Sequence, residues 1–259
     1  MTTATIVFTT AFISGVSLIV YMWYEAHRNT LHEHELDLVQ FPESFDGLRV
    51  FFISDIHTRS IDMELLNQIQ QPVDIVIIGG DLMEKGVSFE RVGKNLERLT
   101  QIAPTYFVWG NNDYEVDYRR LDVLLREKGV HILDNTCAKF ETDEDVLYLM
   151  GVDDPTLDKD RLDLALQDVD EKGYKLLASH NPLIAEKIEQ DHQIGIVLSG
   201  HTHGGQIRFF KWGVAERGGL KDTGLTKVFV SNGYGYTKLP FRLCAPSEAH
   251  IFTFTSKTD

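Results

Sequence analysis

The chain has 259 residues, 43% of them hydrophobic, which suits one large α/β domain, or at most two small ones, around an ample core. Lys and Arg number 25 against 39 Asp and Glu, and the resulting net charge of −14 argues against a nucleic-acid polymer as partner. Two cysteines, Cys137 and Cys244, exclude a disulfide-stapled scaffold.

Residues 4–24 carry no charge, are rich in Ile, Val and Phe, and end in Tyr21, Trp23 and Tyr24. That run is long enough to cross a bilayer core of ~30 Å with aromatics at the interface. A cleaved signal peptide fits less well, because no basic n-region precedes the run and no small-x-small site follows it. Residues 1–28 therefore read as a single-pass cell-membrane anchor and its flank. Arg28 is the one base close to the segment, so positive-inside counting leans to a cytoplasmic domain. Residues 29–46 are polar, and His32-Glu33-His34-Glu35 within them reads as a linker or first edge strand rather than a metal-catching tract.

A single domain is expected over 47–259. From Leu48 the pattern becomes strand, helix, strand. Val92, Leu96, Leu99 and Ala103 share one helical face, as do Tyr118, Leu121, Leu124 and Leu125. Strand-like runs follow at 130–133, 136–140 and 146–151, close enough for hairpin-type connections. Leu162, Leu166 and Val169 mark another helix. Pro182 suits the first turn of the helix after His180, with Asn181 as its cap. Beyond His203 the chain is glycine-rich and irregular, then recovers strands at KVFVSN and HIFTFT. This order fits two packed sheets with helices outside; one doubly wound sheet with an inserted hairpin is the alternative.

Five apolar runs stop at residues able to coordinate a divalent cation. Asp55 and His57 close LRVFFISDIH, Asp81 closes VDIVIIGGD, Asn111 follows YFVWG, His180 follows YKLLAS, and His201 and His203 follow IGIVLSG. Loops at the carboxyl ends of strands converge on one crevice in an α/β sheet, so these residues can meet despite their separation. Asp55-x-His57 and His201-x-His203 each put two side chains on one face of a strand end. Gly204 and Gly205 allow a close backbone approach, and the Asp81 carboxylate has two oxygens to bridge two ions. Nitrogen and oxygen donors without thiolate suit Mn²⁺, Fe or Zn²⁺. Seven ligands exceed one tetrahedral ion and fit a two-metal site, its ions ~3.5–4 Å apart, that activates a water and clamps a displacement at phosphorus.

DIH, GGD, GNND, SHNP and GHTHGG resemble the five signature motifs of the calcineurin-like metallophosphoesterases, in that family's order, from Leu48 to the C-terminus. GHTHGGQ and LPFRLCAPSE resemble its membrane-associated bacterial branch, typified by YkuE and YaeI. The resemblance implies a four-layer α/β/β/α sandwich preceded by the N-terminal transmembrane helix. It implies two divalent ions, with Asp55, His57 and His203 on one, Asn111, His180 and His201 on the other, and Asp81 bridging. Asp81, Asn111 and His180 would then serve catalysis, with a metal-bridging hydroxide attacking a phosphodiester or pyrophosphate.

One position departs from the pattern. The family usually reads GNH, and that His is thought to protonate the leaving group; here Asn112 stands there, followed by Asp113. Asn cannot act as a general acid, a step worth about 10²–10⁴-fold, which favours diesters or pyrophosphates with better leaving groups. Asp113 and His250 are candidate replacements, although His250, with His131 and His192, also reads as structural. Gln206 is a candidate substrate contact or loop closure, and Arg242 a phosphate clamp by bidentate recognition. Tyr234 and Tyr236, in SNGYGYTKLP, either line a substrate groove or lie in an exposed loop. The expected substrate is a phosphorylated small molecule or a lipid-linked one near the anchor. The alternatives are soluble nucleotides and a metal-bearing interaction scaffold.

Overall fold

An apolar helix, α1 (Thr3–Ala26), uncharged up to Glu25, opens the chain, its first turn capped by the Thr2 hydroxyl accepting from the Thr5 amide. At 1.5 Å per residue its 24 residues span about 36 Å. It is long and apolar enough to cross a membrane, and it is unburied up to Tyr24; only Glu25 and Ala26, at its end, are buried against the rest of the protein. The computed structural model describes residues 2–167, 169 and 172–256.

The helix is not loosely tethered. Arg59 reaches back and donates to the carbonyls of His27 and Arg28 and to Asn29 Oδ1, with its guanidinium 3.8 Å above the Tyr234 ring. The following polar tract is a strand, β1 (Thr30–Leu38), at the edge of a sheet.

Two six-stranded mixed sheets carry the domain. The first runs β1, β12 (Glu248–Ser256), β2 (Leu48–Ile53), β3 (Ile75–Ile78), β4 (Thr105–Phe107), β5 (His131–Ile132). The second runs β10 (Gly219–Asp222), β11 (Lys227–Val230), β9 (Ile194–Ser199), β8 (Tyr174–Ala178), β7 (Val146–Gly151), β6 (Thr136–Glu141). In the first, β2, β3, β4 and β5 are parallel; in the second, β7, β8, β9 and β11 are. The alternative of a single doubly wound sheet is thereby set aside.

Strand alternation sorts the core into layers. Val50, Phe52, Ile75 and Ile77 face Leu147, Leu149, Leu176, Ile196 and Leu198 between the sheets. Their neighbours Phe51, Ile53, Val76 and Ile78 face outward onto α2 (Met63–Leu66), α3 (Phe89–Thr100) and α4 (Tyr118–Glu127) through Leu65, Val92, Leu96, Leu99, Leu121 and Leu125. Met150, Leu177 and Val197 face the other way, onto α5 (Leu162–Gln167) and Ile184. The result is the four-layer α/β/β/α sandwich expected from the motifs.

Several local expectations need correction. Ala103 lies beyond the end of α3, and Val169 beyond α5. Pro182 starts a 3₁₀ turn, Pro182–Lys187, rather than an α-helix, although the Asn181 side chain caps it by accepting from Leu183 N at 3.0 Å. The run at 131–132 and that at 136–141 belong to different sheets, so residues 133–135 cross between layers; of these three runs only β6 and β7 form a hairpin. Spacing alone cannot tell a hairpin from a sheet-to-sheet crossing of equal length.

Candidate metal centre

β2, β3 and β4 of one sheet and β8 and β9 of the other end on the same side of the sandwich, and the loops that leave them carry all seven candidate ligands. The backbone there is strained. Asp55, His57, Asp81, His201 and His203 have φ of 54°, 50°, 49°, 70° and 50°, in the left-handed region that non-glycine residues avoid at roughly 1–2 kcal/mol each. Such outliers persist where the surroundings over-determine them, and they cluster at functional sites. Two glycines make the approach possible: a Cβ at Gly110 would stand 2.3 Å from Asp81 Oδ1, and one at Gly200 2.3 Å from Asp55 Oδ2.

The side chains converge. His57 Nε2 lies 3.0 Å from His203 Nε2 and 3.7 Å from Asp81 Oδ2. Asp55 Oδ1 lies 3.2 Å from His203 Nε2, and its oxygens accept from the His201 amide at 3.1 and 3.2 Å. Asp81 Oδ2 lies 3.2 Å from His180 Nε2, which in turn lies 3.2 Å from His201 Nδ1. His180 Nδ1 sits 2.8 Å from the Gly79 carbonyl, to which it donates, so Nε2 is left to point at the carboxylates. Asp55, His57 and His203 form one group of close donors, and Asp55, Asp81 and His180 a second. Asp55 thus stands in both groups, alongside the bridging position expected of Asp81.

The donors fit a cation. Asn111 Oδ1 is buried without a hydrogen-bond partner, which is costly unless something positive completes it. Burial alone would raise the Asp55 and Asp81 carboxyls, but the imidazoles of His203, His180 and His57 outweigh it and hold both well below their ordinary value. Burial would lower His180, yet Asp81 and Asp55 push it up to about 10. Burial together with the Arg242 charge depresses His203 despite Asp55, which keeps that ring in the neutral form that ligates metals. A site that draws a proton onto a buried imidazole will also draw a divalent ion. Asp55, His57, Asp81, His180 and His203 are the candidate ligands that these observations support.

The cavity in front of these groups measures about 310 Å³ and is bordered by Asp81, Asn111, Asn112, His201, His203, Gln206, Val214 and Thr237. Asn112 faces it, holding Asp81 Oδ1 with its amide at 2.8 Å and Glu115 Oε1 with its side chain at 3.0 Å. Gln206 closes a loop from the cavity wall, accepting from Thr237 N at 2.8 Å and donating to Thr237 O at 3.1 Å.

Four candidates land elsewhere. Asp113 is buried, its oxygens accept from the Met83 and Gly110 amides, and burial together with the Asp81 charge pushes it up to about 7. It braces the Asp81 loop and does not line the cavity. Arg242 is fully buried and donates to the carbonyls of Gly235, Asn232 and Ala245, with Nη2 3.0 Å from His203 Nδ1; no donor is left for a phosphate. It backs His203 instead of clamping substrate. Tyr234 is a core residue, its hydroxyl bound to Asn29, Arg59 and the Asp62 amide. His250 is buried among His32, His34 and Phe229, away from the cavity.

Two residues that the motifs did not flag support the ligands. Glu84 Oε2 stands 3.0 Å from His57 Nδ1 as an ion-pair partner, without the alignment of a hydrogen bond. Ser54 Oγ donates to Asp55 Oδ2 at 2.6 Å. Glu84 follows Asp81 by three residues, a spacing that places an acid on the same loop and was open to notice.

Residues 48–205 match the family profile described as calcineurin-like phosphoesterase. The chain is 41% identical to the uncharacterized protein YpbG of Bacillus subtilis over 93% of each chain. It is 34% identical, over 83% of its own length and 54% of the relative's, to a Danio rerio protein described as a transmembrane protein with metallophosphoesterase domain. It is 25% identical to the uncharacterized metallophosphoesterase YkuE of Bacillus subtilis, over 90% of this chain and 88% of that one.

Proposed function

From the premise that the chain belongs to the calcineurin-like phosphoesterase family, we propose that it hydrolyses phosphodiesters or pyrophosphates at a two-ion centre and does so at a membrane. The observation that carries this reading is the convergence of two carboxylates and four imidazoles, all but His180 on strained backbone, beside the partnerless Asn111 Oδ1. Asp55, His57 and His203 would hold one ion, Asn111, His180 and His201 the other, with Asp81 between them. Divalent ions bound there supply a water of lowered pKa and neutralise charge at phosphorus.

The chain's own residues do the rest. Gly79 O fixes the His180 ring, burial with Arg242 behind it keeps His203 neutral, and Ser54 and the Asn112 amide orient the two carboxylates. Among the described residues, the titratable groups bordering the cavity are the ligand candidates themselves: Asp81, His201 and His203. With Asn112 at the position where the family's usual motif reads His, no other side chain bordering the cavity would protonate a leaving group. That favours substrates whose leaving group departs without help, and so diesters and pyrophosphates over alkyl monoesters.

α1 would anchor the domain in the cell membrane and keep the site within reach of lipid-linked phosphates, a placement that a relative described as a transmembrane protein with metallophosphoesterase domain supports.

The test is hydrolysis by the full chain of bis-p-nitrophenyl phosphate against p-nitrophenyl phosphate, after chelation and Mn²⁺ re-addition. Metal-restored cleavage of the diester with little on the monoester is expected. Two bound metals per chain with no turnover of either compound would sink the enzymatic reading and favour a metal-bearing scaffold.

A further inference from the structure

The loop between the metal ligands and β10 exposes apolar side chains that a soluble surface would hide. Phe209, Phe210, Trp212 and Val214 are 71, 78, 72 and 94% exposed within six residues. Elsewhere in the described domain, exposed large apolar residues stand singly along the chain. Single exposed apolars need no explanation, whereas a contiguous patch marks an interaction site.

The exposure is built in. Phe209 and Trp212 pair backbone to backbone, N to O at 2.8 and 3.0 Å, so Phe210 and Lys211 form the tip of a tight hairpin. Beneath it the buried Arg208 guanidinium donates to the carbonyls of Gly204, Lys211 and Ala215. The aromatics are therefore held outward, and the same Arg ties the hairpin to the loop that carries His203.

The hairpin's base adjoins α1. Arg208 N donates to Leu243 O and Leu243 N to Gln206 O, both at 2.9 Å, and the preceding residue, Arg242, donates its amide to Met22 O at 2.9 Å. Trp23 and Tyr24, the interfacial aromatics of α1, are exposed beside this junction. Gln206 also holds the turn that bears Lys238 and Leu239, the latter 61% exposed. Gln206, Val214 and Thr237 border the cavity with His201 and His203, so the mouth of the metal centre opens inside this apolar rim.

We propose that the Phe209–Val214 hairpin is a second membrane contact. It enters the headgroup–acyl boundary of the bilayer that α1 crosses and turns the mouth of the metal centre toward lipid headgroups. This rests on reading α1 as an anchor and the site as a phosphoesterase, and it names the substrate class as phosphates presented at a membrane surface. The composition is that of an interfacial segment: Phe and Trp bury large area, while Lys211 and Lys238 reach anionic headgroups with their stems along the apolar layer. These two cations lie in a chain whose net charge is −14, so the local charge suits phosphate where the global charge does not. Tethering by α1 makes the contact intramolecular in effect, so a short hairpin is enough.

Two readouts separate the contact from the chemistry. The first uses the full chain in vesicles whose lipids carry bromine at shallow acyl positions, comparing the native protein with Trp212→Phe to remove the background of Trp23 and Trp109. Native emission should be quenched more than that of the variant, and acrylamide should reach Trp212 less in vesicles than in detergent. Equal bromolipid quenching of the two proteins, or unchanged acrylamide access, overturns the proposal. A native dimer that dissociates in Phe210→Asp/Trp212→Ser would assign the face to a second copy and overturn it too. In the second readout, that double variant should cleave bis-p-nitrophenyl phosphate at the native rate. Its release of headgroups from phosphatidylglycerol vesicles should fall by up to about a hundredfold, the scale of a misplaced site. An equal rate on vesicles overturns the orienting role. If the native chain cleaves neither compound, the enzymatic reading fails, and the quenching result still decides the contact.

Discussion

At one end of the sandwich a cavity of about 310 Å³ opens beside Asp81, Asn111 and His201; at the other a larger one, about 580 Å³, opens among Leu38, Tyr174 and Lys227, where β8, β9 and β11 begin. The larger one has charges too, and three of them have partners within the fold: Asp145 Oδ2 accepts from the Ser44 amide and hydroxyl, Asp222 Oδ1 accepts from the Gly224 amide, and Lys227 donates to the Asp37 carbonyl. At the smaller one, ring nitrogens face each other at 3.0 and 3.2 Å with carboxylates between them, and Asn111 Oδ1 has no partner. Volume does not mark the proposed working end of this molecule. Unfinished coordination does, and it lies where parallel strands of both sheets end.

That contrast breaks most directly with one variant at each end. Asp81→Ala removes a carboxylate from the centre of the cluster, and metal-dependent diester cleavage should fall by roughly 10²–10³-fold or more, the scale of losing a main electrostatic element. Metal content, read by mass spectrometry of the purified protein, should drop with it. Lys227→Ala, at the larger cavity, should leave both within about twofold. A comparable loss there would overturn the assignment of function to the smaller cavity.

A weaker effect tests the group behind the ligands. Arg242→Lys keeps the charge but not the fork that spans three carbonyls and His203. Metal affinity should weaken by about 10–100-fold, as when a ligand loses its supporting partner. Were Arg242 a phosphate clamp, KM for the diester would rise with metal binding unchanged. Asn112→His asks whether the departing group lacks an acid: metal content should hold while p-nitrophenyl phosphate hydrolysis rises by roughly tenfold or more. No rise in monoester hydrolysis with metal intact would remove the reason for preferring diesters.

Much of this end was legible because its chemistry is written in short runs. An apolar strand followed by Asp-x-His or His-x-His announces both the element and the donors, and the parallel order of the strands brings the loops together. What was not legible depends on folding back across distance. Arg242 looked like a phosphate ligand because it is cationic near the end of a motif, but the turn at 232–247 wraps its guanidinium in carbonyls. Tyr234 looked exposed beside glycines, yet those glycines let the chain pass close enough for Arg59 to seal it. The crossing at 133–135 was hidden because its length equals that of a hairpin. The tract 29–46 offered strand and linker equally, and the parallel pairing of β1 with β12, nearly the whole chain away, makes it strand.

The smallest predicted effect lies at that edge, away from both cavities, and shows that a cluster of imidazoles need not be a site. His34 is half-buried against His250 and His32, stacks on Phe252, and meets Phe229 edge-on, with the acid Glu248 in contact with His32 and His250. Burial first, then the charges of His250 and His32, lower His34 to about 4 from its ordinary 6.5. Because its folded value is depressed, the stability it contributes is present above pH 6.5 and is lost as pH falls from there towards 4. Half-exposure limits the loss to on the order of 1 kcal/mol. His250 is depressed in the same direction and will keep part of the slope, whereas Glu248, held well below its ordinary value, loses its contribution only at lower pH. In His34→Phe, which keeps the stack on Phe252, thermal melts between pH 7 and 4.5 should therefore show a shallower fall in Tm than in the native chain. An identical slope would mean that the cluster protonates without opposing the fold, and that its rings lie more open to water than their packing implies.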